Sequence, residues 1–126
     1  MRKKILLVED EKNIVLGVTV CLRSAGLDVE VATDGADALK RLEEIQPDLI
    51  LLDLVMPRVN GLDALQMMKQ KEETKDIPVI ILSARAQEDD IKRALELGAT
   101  AYMAKPFRPN ELLAVIERVL AGDSTI

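Results

Sequence analysis

The stretch PDLILLDLVMPRVNG, residues 47–61, decides the fold and raises the first chemical question. Four apolar residues, Leu49–Leu52, read as a strand covered on both faces, because a half-exposed strand alternates apolar with polar positions. The run ends on Asp53, and the chain then turns at Pro57 and Gly61. A carboxylate at the end of a buried strand is unfavourable unless its charge is compensated. Asp53 therefore needs a chemical reason.

Working outward, the same kind of short apolar run recurs in KILLV (4–8), DVEVA (28–32), VIIL (79–82) and AYM (101–103). Between and after these runs the spacing becomes helical. Leu39 and Leu42 share a face, as do Leu62, Leu65 and Met68, then Ile91, Ala94 and Leu95, then Leu112, Ile116, Val119 and Leu120. The segment IVLGVTVCL (14–22) is apolar and β-branched, but its length, the polar EDEKN before it and the SAG after it predict a helix buried on much of its circumference. Gly26 and Gly98 fall where left-handed helix caps are expected, and Asp34 and Asn110 where N-caps are expected. Strands alternating with helices predict an α/β fold, one doubly wound parallel sheet with helices on both faces.

Composition narrows the function. The 126 residues suit one domain with a single sizeable core, and 48% hydrophobic with 31% charged residues fits a globular chain. Seventeen basic against 22 acidic residues give a net charge of −5, which argues against a nucleic-acid-binding surface. There is no histidine, so imidazole catalysis and imidazole metal sites are excluded. Cys21 is the only cysteine and falls in an apolar run, so it reads as a small core residue in a reducing setting. The apolar run after the basic MRKK is too short for a signal peptide, and no stretch approaches a membrane span. A cytoplasmic location is the expectation.

In a parallel sheet of this kind, ligands bind outside the carboxyl ends of the strands. The residues found there are Glu9 and Asp10, Asp53, Ser83 and, after the fifth strand, Lys105. Taken singly, an acidic pair is a solvated turn, Ser83 a turn residue and Lys105 a surface lysine. Taken together they converge on one crevice. Each like-charge pair of carboxylates at about 4 Å costs on the order of 4 kcal/mol at an effective dielectric near about 20, so a cation belongs among them. An all-oxygen set suits Mg²⁺, with Mn²⁺ as a substitute. A carboxylate, a divalent cation, a lysine and a hydroxyl make a phosphoryl-transfer site with Asp53 as nucleophile.

The motifs LLVEDE, LILLDLVMPRVNGL, VIILSA and GATAYMAKPF, in this order, resemble those of response-regulator receiver domains of two-component signalling, over residues 3 to 121. The resemblance implies a flavodoxin-like sheet of order 2-1-3-4-5 with five helices, an order for which a chemotaxis receiver is itself the standard illustration. It implies that Asp53 is the phosphoacceptor and that Asp10 is a direct Mg²⁺ ligand. It further implies that Glu9 acts on the metal through water and that the Val55 carbonyl is the remaining ligand. Ser83 takes the hydroxyl position, Lys105 the phosphate-pairing position, and Tyr102 that of the aromatic switch. Pro106 is expected after a cis bond. Phe107 reads equally as core or as a kinase-docking residue. Val55 and Arg85 would flank the path of hydrolytic water and so tune phosphate lifetime.

The implied function is a switch, not an enzyme with an external substrate. A histidine kinase or phosphotransfer protein phosphorylates Asp53, and the face formed by the fourth helix, fifth strand and fifth helix changes for an output partner or domain. Residues 1–121 would form the receiver and 122–126 a tail or the start of a linker. A haloacid-dehalogenase-type phosphatase is the alternative, but its second Asp, two positions after the nucleophile, is here Val55. A flavodoxin-type cofactor binder is disfavoured by the acidic EDEKN and the scarcity of aromatics. The closing segment resembles receivers joined to winged-helix DNA-binding domains. Thr100 and Ala101 replace that group's acidic pair and Val115 its arginine, leaving Lys92 and Arg93 without their partners. A monomer or weak dimer is expected.

Overall fold

The structure is a computed structural model that describes residues 2–55, 60–84 and 88–122. Arg85, the turn at Pro57 and the last four residues lie outside the described residues. The element order is β1 (Lys4–Val8), α1 (Lys12–Ser24), β2 (Asp28–Ala32), α2 (Gly35–Glu44) and β3 (Leu49–Asp53). It continues with α3 (Gly61–Gln70), β4 (Val79–Ala84), α4 (Glu88–Glu96), β5 (Ala101–Lys105) and α5 (Pro109–Leu120). The five strands pair in parallel in the order β2-β1-β3-β4-β5, as the family resemblance implied. No helix among the described residues is long and apolar enough to cross a membrane.

Strand alternation sorts the core into two layers. Leu6, Val8, Ile50, Leu52, Val79 and Ile81 face α2, α3 and α4, packing on Ala38, Leu65, Met68 and Ala94. Ile5, Leu7, Leu49, Leu51, Ile80 and Leu82 face α1 and α5, packing on Val18, Leu22, Leu112 and Ile116. Burying the central strands on both faces accounts for the unbroken apolar runs, each buried side chain stabilising by about 1.5–3 kcal/mol.

Three expectations change. β3, β4 and β5 run past their apolar runs, so Asp53 and Lys105 are the last residues of their strands and Ser83 the last but one, where all three were expected beyond the strands. Asn110 is not the cap of α5: that helix starts at Pro109, behind Arg108, which makes no side-chain cap bond. Proline at the first helical position presets φ and has no N–H to satisfy, so the start moves one residue earlier. α1 is a helix but is not buried around much of its circumference. Only Val18 and Leu22 are fully buried, while Leu16 and Val20 are 65% and 56% exposed. The helix lies on one face of the sheet beside α5, so a single stripe points inward. By contrast, Asp34 does cap α2, accepting the Asp37 amide at 2.8 Å, and Gly26 and Gly98 take φ of 88° and 112°.

The entry to α3 is pressed against β3. The Gly61 amide donates to the Leu54 carbonyl at 3.0 Å. A Cβ on Gly61 would stand 2.5 Å from the Asp53 carbonyl oxygen and 2.5 Å from the Leu54 Cα, both backbone atoms with no rotamer to yield. Gly17 is different, since a Cβ there would meet only Pro109 Cγ at 3.6 Å, an ordinary contact. Gly61→Ala should therefore lower the unfolding free energy by about 1–3 kcal/mol. Gly17→Ala should leave it unchanged or raise it by up to about 1 kcal/mol. Urea denaturation followed by circular dichroism checks both, and equal effects of the two would contradict the asymmetry.

Candidate functional site

The alternation that builds the two core layers also selects the site. Ile5 and Leu7 face α1 and α5, and two residues on so does Glu9; Leu49 and Leu51 lead in the same way to Asp53, and Ala101 and Met103 to Lys105. Three ionisable side chains, at the ends of β3 and β5 and just past the end of β1, thus share one face at the carboxyl edge of the sheet. Glu9 is fully buried and Asp53 nearly so. Lys105 Nζ lies 2.9 Å from Glu9 Oε1 and 3.2 Å from Asp53 Oδ2.

Asp10, the next residue in the loop after β1, is exposed, and its carboxylate completes a cluster with Glu9 and Asp53 whose oxygens lie within 4.8 Å of one another. Asp53 Oδ1 accepts the Val55 amide at 3.2 Å. An open cleft lined by Glu9, Asp10, Glu11, Asp53, Val55, Ala84 and Lys105 exposes this group to solvent. Val55 stands at its mouth, 58% exposed.

Ser83 has the opposite strand parity and lies one level beyond Leu82, the register partner of Asp53. It is fully buried, with Oγ 3.4 Å from the Ala84 carbonyl, and is not among the cleft-lining residues. Tyr102 shares that parity on the edge strand β5, paired with Ile81, and is 47% exposed. The structure therefore brings Glu9, Asp10, Asp53, Val55 and Lys105 together and leaves Ser83 and Tyr102 beside them. Arg85 lies outside the described residues. Lys105–Pro106 is cis, as the resemblance implied. Phe107 packs against the α1–α5 core and also lines a groove with Ile14, Gly17 and Pro109, which leaves both of its readings standing.

Burial is the largest influence on Asp53, and it acts with the negative charge of Glu9 to raise its pKa from 3.8 to about 6, against the opposing pull of Lys105 and the Val55 amide. Burial would lower the Lys105 pKa, but the carboxylates of Glu9 and Asp53 beside it outweigh that and hold the ammonium above its ordinary value. Lys105 stays charged. Sequence reasoning places Lys105 as a second positive charge among the carboxylates and as the partner of the phosphate; its contact with Glu9 in particular was readable from the shared parity of residues 9, 53 and 105.

The donor set fits a divalent cation. Three carboxylates facing one ammonium leave two negative charges uncompensated when all are ionised. Glu9 Oε1 is buried beside Lys105 but has no aligned hydrogen-bond donor among the described residues. All the ligand atoms on offer are oxygens, which suits Mg²⁺.

The shift on Asp53 sets a pH dependence in metal-free protein. Between pH 3.8 and about 6 the folded state keeps a proton that the unfolded chain has released. This contribution to stability is complete below the lower value and is lost as pH rises through the upper one. Asp53→Asn cannot ionise, so its stability advantage over wild type should grow from about pH 4 to about pH 6 and level off above. Denaturation midpoints of both proteins across that range, in chelator, check it; a constant difference would refute the assignment.

A family model described as the response regulator receiver domain matches residues 5–117. The alkaline phosphatase synthesis transcriptional regulatory protein PhoP of Bacillus subtilis is 41% identical over 120 residues, which cover 95% of this chain and 49% of that protein. The phosphate regulon transcriptional regulatory protein PhoB of Klebsiella pneumoniae is 43% identical over 120 residues, covering 95% and 52%. The chain spans about half the length of the curated relatives it matches. Among solved structures, the chemotaxis response regulator CheY4 of Vibrio cholerae superposes with a TM-score of 0.89 at 30% identity, covering 94% of this chain and 99% of that one. The receiver domain of sensor histidine kinase PA1611 from Pseudomonas aeruginosa PAO1, solved with a magnesium ion coordinated in its active-site cleft, gives 0.87 at 32%, covering 96% and 99%.

Proposed function

The chain belongs to the response regulator receiver domain family, and on that premise we propose that it is a switch set by phosphorylation of Asp53. The donor is a sensor histidine kinase or a phosphotransfer protein, and the setting is the cytoplasm. Residues 1–121 act as the receiver, with 122–126 a tail or the start of a linker. The observation that carries the reading is the buried Asp53 carboxylate, 3.2 Å from Lys105 and grouped with Glu9 and Asp10.

An Asp53 oxygen attacks phosphorus; a P–O bond forms as the P–N bond of phosphohistidine breaks, its electron pair remaining on the imidazole nitrogen. Lys105 holds its positive charge beside the phosphoryl oxygens, and the Val55 amide fixes the Asp53 carboxylate in line. Asp10, Asp53 and the Val55 carbonyl, with Glu9 acting through water, would hold Mg²⁺, or Mn²⁺ in its place, and the ion would supply charge stabilisation to the transferred group. Ser83 then turns toward the new dianion and Tyr102 moves with it, which biases α4, β5 and α5 toward the arrangement an output partner or domain reads. The phosphatase alternative finds no support among the comparisons. The chain is read as a switch that promotes its own phosphorylation and dephosphorylation, with no external substrate to turn over.

Phosphoramidate with Mg²⁺ should add the mass of one phosphoryl group to wild type and none to Asp53→Ala. Intact-mass spectrometry decides it, and an equal gain in the variant would remove Asp53 from the role.

Lifetime is the second consequence. Val55 offers no hydrogen bond to orient an attacking water and stands at the cleft mouth, while Arg85 is long enough to cover the phosphoryl oxygens. Val55→Asn combined with Arg85→Glu should speed dephosphorylation about tenfold or more, a barrier change of about 1.4 kcal/mol. Phosphate release after removal of the donor measures it, and equal or slower decay would clear both side chains of that role.

A further inference from the structure

We infer that Asn60 is a deamidation site whose reaction the fold controls: its side chain cyclises onto the Gly61 nitrogen only when the start of α3 lifts off β3. Of the three asparagines, Asn13 precedes Ile14 and Asn110 precedes Glu111, and Asn60 alone precedes a glycine. Glycine has no Cβ to shield its nitrogen from the neighbouring carboxamide, which makes this the most labile of the three bonds. In the reaction the Gly61 amide gives up its proton to base, its nitrogen bonds to Asn60 Cγ, and the Cγ–Nδ2 bond breaks to release ammonia. Water then opens the ring at either carbonyl, leaving aspartate or isoaspartate.

Burial does not protect Asn60, which is exposed to water and base. The geometry of the α3 entry does. The Gly61 N–H donates to the Leu54 carbonyl at 3.0 Å. Across a trans peptide the ring replaces that hydrogen with Cγ, because hydrogen and the Asn60 Cα lie on the same side of the C–N bond. A carbon bonded at about 1.4 Å in that direction would stand roughly 1.6 Å from the Leu54 oxygen, far inside any non-bonded contact. Nor does the Gly61 peptide have room to tilt toward β3, since the Asp53 carbonyl oxygen and Leu54 Cα lie 2.5 Å from where a Cβ would stand. The other reactant is held as well: Asn60 Oδ1 accepts the Asp63 amide at 3.0 Å, which keeps the carboxamide on the first turn of α3. Releasing both groups requires that turn to leave β3. Aspartate at residue 60 would still cap the helix, whereas isoaspartate lengthens the main chain by one methylene beside a glycine with no space to shift.

The test incubates folded wild type, Asn60→Ser and Leu65→Ala in mildly alkaline buffer, beside wild type unfolded in guanidinium, with folding checked by circular dichroism. Trypsin cuts after Arg58 and Lys69, so the peptide 59–69 carries the site, and mass spectrometry reads the gain of about one dalton on exchange of the amide for an acid. Folded wild type should react at least about tenfold more slowly than the unfolded chain, because only the opened fraction is competent. Asn60→Ser, which keeps a capping oxygen, should show no gain in that peptide. Leu65→Ala removes a fully buried α3 side chain and should speed the reaction about tenfold or more over folded wild type. Should Leu65→Ala fail to fold, Thr74→Val takes its place, removing the hydroxyl bond to the Met68 carbonyl. Three outcomes overturn the inference: folded wild type reacting as fast as the unfolded chain, an unfolded chain that gains nothing in this peptide, or a folded α3 variant no faster than wild type.

Discussion

One ammonium group lying between two buried carboxylates organises this molecule. Parallel strands deliver their carboxyl ends to the same side of the sheet, and alternation delivers Glu9, Asp53 and Lys105 to the same face of it. Like charges packed so closely repel strongly where water is excluded. The Lys105 contacts at 2.9 and 3.2 Å offset part of that repulsion and leave a negative excess. That excess is what makes the cleft suited to a cation, and the raised pKa of Asp53 is the same imbalance seen from the proton's side.

Much of this was legible in the sequence because apolar runs and helical spacing are strong local signals. LILL and VIIL could only be strands of a doubly covered sheet, and the structure buries every residue of both. The strand ends were harder to read. Asp53, Ser83 and Lys105 are polar and ended the apolar pattern, yet their backbones continue the ladder, which depends on pairing with neighbours that local sequence does not show. The cap of α5 was misread because Asn110 looks the part while Pro109 starts the helix. For α1, an apolar composition suggested enclosure; the stripe that faces inward is set by where α5 lies. That Glu9, Asp10, Asp53, Val55 and Lys105 would lie together was legible, since their placement after strands is a one-dimensional fact. The lysine was expected among the carboxylates, but its particular contact with Glu9 required counting parity across several strands at once. The separation of Ser83 from the cleft wall follows from that same parity.

The two core layers also separate duties. The layer under α1 and α5 leads directly to Glu9, Asp53 and Lys105, so its packing fixes the charged cluster. The layer under α2, α3 and α4 leads to Ser83 and holds Tyr102 at its edge. A phosphoryl group on Asp53 would join the two, being the one object that both the ammonium and the hydroxyl could touch. Gly61 presses α3 against the backbone of Asp53, which makes the second layer stiff close to that carboxylate.

Rigidity is unevenly distributed within that second layer. α3 is fastened at both ends, by the Gly61 contact at one and by the Thr74 hydroxyl on the Met68 carbonyl at 2.6 Å at the other, and Lys69 Nζ adds bonds to the Lys75 and Ile77 carbonyls. α4 has nine residues, of which only Ile91 and Ala94 are buried, and its first turn carries three acids that favour the helix mainly through its own dipole. Local opening free energies scale with the apolar area released. Amide exchange in α4 should therefore proceed through smaller openings than exchange in α3, which has more buried residues and more bonds at its ends. An input at the cleft thus meets one helix fastened at both ends and, next to it, one held to the core by two buried side chains.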